Sequence, residues 1–161
     1  MNAENLERYI NDHLAGASGA LQLLDYLAKK ENLRKEPSFF EPLRDQVQSD
    51  YDILIDVLDR LGMKRDPVSQ AAGKLGMRVG RMKMTWDGMD PGELGAFEAL
   101  EMLVLGITGK KLLWLALGEI APFTPRLEGM DFTKLAESAK QQRSRVEDRR
   151  LSAARQAFLQ K

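Results

Sequence analysis

The residues of this chain best placed to do chemistry are polar ones that stand where apolar ones belong. His13, the single histidine, lies in a helical apolar stripe flanked by Ile10, Leu14 and Ala17. Asp50 sits between Val47 and Leu54, while Asp52, Asp56 and Asp59 project to the opposite side. Glu98 and Glu101 are one turn apart in a segment that is apolar nearly all round. Arg143 and Arg150 fall within the narrow apolar stripe of the last helix. An imidazole among carboxylates can ligate a metal or move a proton. Paired carboxylates do acid–base work only in unlike environments. A guanidinium set against a carboxylate does neither, because its planar fork of donors neutralises the acid.

The spacing favours neutralisation. A hairpin of residues 93–120 against 131–159 brings Glu98 and Glu101 level with residues 148–151, so Arg150 is expected to pair with one of them. Arg143 would serve another layer. The expected centre is therefore a core polar cluster of His13, Asp50, Glu98, Glu101, Arg143 and Arg150, with arginines in place of a metal, no cofactor and no catalytic residue. His13 has no second histidine and no Cys to work with, so no triad can be built, and it reads as a core or partly buried histidine with one hydrogen-bond partner. The alternative is a metal-binding protein or oxidoreductase using His13 with Asp50, Glu98 or Glu101. The stretch Gly106-Ile107-Thr108-Gly109-Lys110-Lys111 is no phosphate loop: too few residues separate its glycines, and Lys111 stands where Ser or Thr belongs.

These side chains must be held by helices, since apolar residues recur at helical spacing and no strand-like alternation is sustained. The first predicted helix runs from Ala3 to Lys30, followed by a charged connector, Glu31–Glu36, and the break at Pro37. The second spans Ser38–Leu61 with Gly62 as its C-cap, and buries Phe40, Leu43, Val47, Tyr51, Leu54, Leu58 and Leu61. Asp66 and Pro67 open a shorter helix ending near Met84, and TWDGMDPG (85–92) is a loop. Residues 93–120 form a helix, 121–129 a connection, and Asp131 caps a last helix ending near Leu159.

The shorter helix carries Gly73, Gly76 and Gly80 on one side and Val68, Ala71, Leu75, Val79 and Met82 on another. Glycine inside a helix costs up to about 1 kcal/mol against alanine, so close approach of another backbone is expected there. Met77, Met84 and Trp86 add an adaptable apolar contact surface. Lys74, Arg78 and Arg81 on its third face read as a solvated face, as do the arginines of the last helix, which Glu147 and Asp148 interrupt.

Composition narrows the function classes. The 161 residues suit one domain, 1–161, and 43% hydrophobic with 30% charged residues argues for a packed core rather than disorder. Lys plus Arg and Asp plus Glu both number 24, so no net charge draws the chain to nucleic acid or anionic lipid. Leu100–Ala121 is apolar enough to suggest a span, but Lys110 and Lys111 near its middle point to a buried helix and to no membrane partner. The absence of Cys fits a reducing cytoplasm, the expected compartment, and the opening MNAENLERY lacks the pattern of a signal peptide.

Two helical hairpins joined by a crossover, with carboxylates and a histidine pointing inward, resemble the ferritin-like superfamily. The resemblance implies an all-α, ferritin-like up-down four-helix bundle of two antiparallel hairpins with a shorter bridging helix. It also implies two metal ions held by Glu and Glu-x-x-His. Here the motif is missing: Ile10 precedes His13 by three, Ile53 follows Asp50, and Arg150 follows Glu147. No family ligand is therefore carried over. The resulting expectation is a non-catalytic bundle with a degenerate metal site, acting by binding or self-association. A homodimer is compatible with the apolar excess of residues 93–120, and a small-molecule ligand is left unidentified.

Overall fold

The computed structural model describes residues 2–33, 37–66 and 92–159. Four long helices account for most of them: α1 (Ala3–Leu33), α2 (Phe40–Leu61), α3 (Gly92–Ile120) and α4 (Phe132–Leu159). Of the predicted 66–84 helix and the 85–92 loop, residues 67–91, with Gly73, Gly76, Gly80, Met77, Met84 and Trp86, lie outside the described residues, and Gly92 begins α3. No strand occurs among the described residues.

The helix ends are set by local chemistry. At the C-terminus of α2, Gly62 takes the left-handed conformation (φ 69°). Its N–H bonds the carbonyl of Asp59 at 3.0 Å, and the N–H of Met63 bonds that of Leu58 at 3.0 Å. Two orphan carbonyls are thereby satisfied by a Schellman turn, as the glycine predicts. Asp131 accepts the N–H of Lys134 at 2.9 Å and caps α4. Two single 3-10 turns, Ala121–Phe123 and Pro125–Leu127, make the connection before it.

The charged connector is corrected at its start. Glu31 belongs to α1 and is 3% exposed. Its carboxylate accepts the N–H of Phe39 at 2.7 Å and of Phe40 at 3.0 Å, so a side chain of α1 caps the N-terminus of α2. Arg149 of α4 lies 3.5 Å from its other oxygen and supplies the balancing charge. The sequence hides this role, because the capping residue lies nine positions before the first residue of the helix it caps.

Side-chain pairings fix the directions. Asp25 meets Arg44, and Asn11 reaches the carbonyl of Lys64, so α1 and α2 are antiparallel. Phe97 stacks edge-on against Phe158, and Trp114 lies beside Phe132, so α3 and α4 are antiparallel. Gln46 binds Arg145 and Arg60 binds the carbonyl of Glu128, so α2 and α4 are antiparallel too. It follows that α2 and α3 run the same way. The core lies between the two hairpins, where Ile10, Leu24, Val57, Leu58, Leu113, Trp114, Leu117 and Val146 are closed from solvent.

Candidate functional site: a cavity beside a buried ion pair

The helices do not close on each other everywhere. A cavity of about 310 Å³ lies among α1, α2 and α3. Its walls are mainly apolar, with Val47 and Leu54 from α2 and Leu103, Ile107, Leu113 and Trp114 from α3. On the α1 side the wall is low, because Gly16, Ala17 and Ala20 face it. Gly106 and Gly109 form the facing side on α3. A Cβ on Gly106 would meet nothing within 4 Å, and one on Gly109 only His13 Cε1 at 3.9 Å. Small side chains on facing helices usually let the helices touch; here the space is open. Asp12, Leu105 and Gly106 are exposed lining residues and mark the mouth.

At the inner side the wall is polar. Asp50 accepts a hydrogen bond from the Lys110 ammonium and another from the amide of Gln142 at 3.1 Å. Lys110 also donates to the Gln142 carbonyl oxygen. The three side chains come from α2, α3 and α4, and Gln142 is 2% exposed. Burial pulls the Lys110 pKa below its ordinary value, and the charge and hydrogen bond of Asp50 oppose the fall without reversing it. The two charges balance each other within the chain, and the carboxylate gains a second hydrogen bond from Gln142, as burial of a charge requires.

His13 sits at the α1 wall, half-buried, with the Tyr9 ring edge-on at 4.7 Å. Burial lowers its pKa, and Asp12 opposes this more weakly. Near neutral pH it is an uncharged part of the wall. Tyr51 also lines the cavity, and its hydroxyl accepts from Arg65.

The expected six-residue cluster does not form. His13 and Asp50 share the cavity, whereas Glu98, Glu101, Arg143 and Arg150 are no part of its walls. Glu98 and Arg143 are exposed. Arg150 does lie 3.8 Å from Glu101, as the hairpin register predicts, but its stronger partner is Glu147, held by two bonds of 2.8 Å. That group sits on the outside of the α3–α4 hairpin, with Glu101 51% exposed. The error has a physical source. Residues 93–120 are apolar on every side, so a wheel cannot say which side faces inward, and Glu98 and Glu101 occupy the outer one. On α4 the core position falls on Gln142, one residue before Arg143 and equally well spaced from Ala139 and Val146.

Sequence reading missed Lys110, Gln142, Trp114 and the purpose of Gly106 and Gly109. The signal for Lys110 was its placement on an apolar helix, which demands a carboxylate partner. The two glycines are visible in the sequence as helix interruptions, but their spacing there is set only against that of a phosphate loop. Among the described residues, no group of three or more His, Cys, Asp or Glu side chains is arranged to hold a metal ion.

Comparison with protein-family models, with curated proteins and with solved structures finds no match for this chain. Its function must be argued from the cavity and the helices around it.

Proposed function

We propose that this chain is a non-catalytic, ferritin-like bundle that works by binding a small molecule in the cavity among α1, α2 and α3. The ferritin-like reading is supported by the two antiparallel hairpins and the parallel course of α2 and α3. The degenerate-site reading is supported by Asp50, whose charge is met by Lys110 of the same chain. The observation that carries the binding reading is the cavity beside Gly106 and Gly109. Gly106 is exposed at the mouth and Gly109 has only His13 Cε1 over it, 3.9 Å from where a Cβ would lie, so close helix packing requires neither glycine and each costs helix stability. Room kept at such a cost suits an occupant, and the volume lies within the range of small-molecule sites.

The test is a titration with cumene, a compact hydrocarbon, followed by thermal unfolding. Wild-type protein is expected to gain stability with cumene concentration, as any ligand of the native state requires. Gly109→Leu, which fills the cavity, should gain none. Equal responses of the two proteins, or none in either, would refute the proposal.

A second reading, self-association, is favoured by one feature. Leu105, Leu112 and Leu115 are 60%, 57% and 47% exposed and follow 7-3 spacing along α3. Such a stripe matches the seam of paired helices. Sedimentation should show a dimer that Leu112→Glu splits; a monomeric wild type removes this reading.

A further inference from the structure

Asp50 uses only half of its carboxylate to hold the ion pair. The residue stands on the buried stripe of α2 between Val47 and Leu54, is 7% exposed, and lines the cavity. Its hydrogen bonds from Lys110 and from Gln142 both arrive at one oxygen, Oδ2. The other oxygen, Oδ1, has no partner among the described residues. A water-sized group can nevertheless touch it, and the open space beside Asp50 is the cavity. A buried polar atom normally has its hydrogen bond, so an open oxygen in an apolar chamber is a place where a donor is to be supplied. An ionised carboxylate accepts and never donates.

The charges of the wall say what kind of donor. The charge of Asp50 is already balanced by Lys110, the one cation among the lining residues. A second cation would stand beside that ammonium and lose its hydration with no free counter-charge. An anion would face Asp50 within and Asp12 at the exposed mouth. An ether or a ketone has no proton to give and would set its lone pairs against those of Oδ1. Among uncharged donors, a hydroxyl adds the least polar surface to an apolar body, whereas an amide would also bury a carbonyl.

We infer that the cavity takes an uncharged, mostly apolar molecule carrying a hydroxyl group, and that this hydroxyl donates to Oδ1 of Asp50. The apolar body lies along Leu54, Leu103 and Ile107, in the room left by Gly106 and Gly109. This rests on the binding reading above and adds the chemical class of the ligand. Asp50 is the specificity residue: it separates an alcohol from a ketone of the same shape.

Four molecules of nearly one shape test it: 1-phenylethanol, acetophenone, cumene and 1-phenylethylammonium. Cumene reports the cavity itself. In titrations of the wild-type protein, 1-phenylethanol should bind about tenfold tighter than acetophenone, the yield of one hydrogen bond to a charged acceptor. The ammonium ion should bind more weakly than the alcohol. Asp50→Leu with Lys110→Met removes the acceptor together with its counter-charge, and the alcohol and the ketone should then bind alike. Should that variant fail to fold, the wild-type protein answers alone: in NMR, the carboxylate carbon resonance of Asp50 should move further with 1-phenylethanol than with acetophenone. If the ketone binds as tightly as the alcohol, or the ammonium ion binds tightest, the ligand class is wrong while the cavity reading stands. A preference for the alcohol that survives the double replacement overturns the assignment to Asp50. If none of the four binds, and Gly109→Leu behaves as wild type, the binding reading itself has failed.

Discussion

Gly118 and Gly106 stand twelve residues apart on α3 and do opposite things. A Cβ on Gly118 would lie 3.4 Å from Cβ of Phe132, at the edge of ordinary contact. That glycine lets α4 start close against α3, and the neighbouring Trp114, Leu117 and Phe132 are sealed from solvent. Gly106 has nothing within 4 Å, and the helix opposite it presents Gly16 and Ala17 across an open space. One helix thus has a packed end and a hollow middle, and the same residue type serves both. A glycine in a helix is explained by what stands over it, and where nothing does, the space is the feature.

The largest expected effect lies on the wall between the two regions. Asp50→Ala leaves the Lys110 ammonium buried without its counter-charge, and should cost about 3–5 kcal/mol in urea unfolding. Replacing both, as Asp50→Leu with Lys110→Met, should recover most of that loss, since the pair brings little net stability of its own. A loss below about 1 kcal/mol for Asp50→Ala would show that the polar layer is wet and not part of the packed half.

The contrast of the glycines themselves comes next. Gly118→Val should cost about 1–3 kcal/mol by overpacking against Phe132. Gly106→Ala should instead stabilise by about 0.5–1 kcal/mol, the helix-propensity gain with no clash to offset it. Chemical denaturation of both variants checks the pair. Equal signs would erase the distinction between packed and hollow regions.

The smallest effect is expected from pH. Burial lowers the folded-state pKa of His13 below its unfolded value of about 6.5. The unfolded chain then binds more protons than the folded one as pH falls through that value, so this contribution is present above about pH 6.5 and lost below it. Asp12 tempers the loss by raising the His13 pKa. His13→Gln should flatten stability between pH 7 and the folded-state pKa, read as the difference between two urea series. An unchanged slope would place the imidazole in water rather than in the cavity wall.

Much of the fold was legible because it rests on local rules. The α2 stripe from Phe40 to Leu61 is buried as its spacing predicts, Gly62 ends that helix, and Asp131 starts the last one. Each of these depends on contacts within a few residues of sequence. The hairpin register was legible too, since antiparallel helices with a short link fix which residues face each other, and Arg150 indeed meets Glu101. By itself, then, the sequence determined four long helices, the ends marked by Gly62 and Asp131, and the pairing into hairpins.

Tertiary structure decided what stands at the centre. Asp50 chooses Lys110 across sixty residues, and Gln142 rather than Arg143 joins them. α3 is apolar all round, so periodicity does not orient it; only contact with three neighbours puts Lys110 inward and Glu98 outward. The cavity is likewise a property of how far α1 stands from α3, and spacing along one chain segment carries no information about the gap between two.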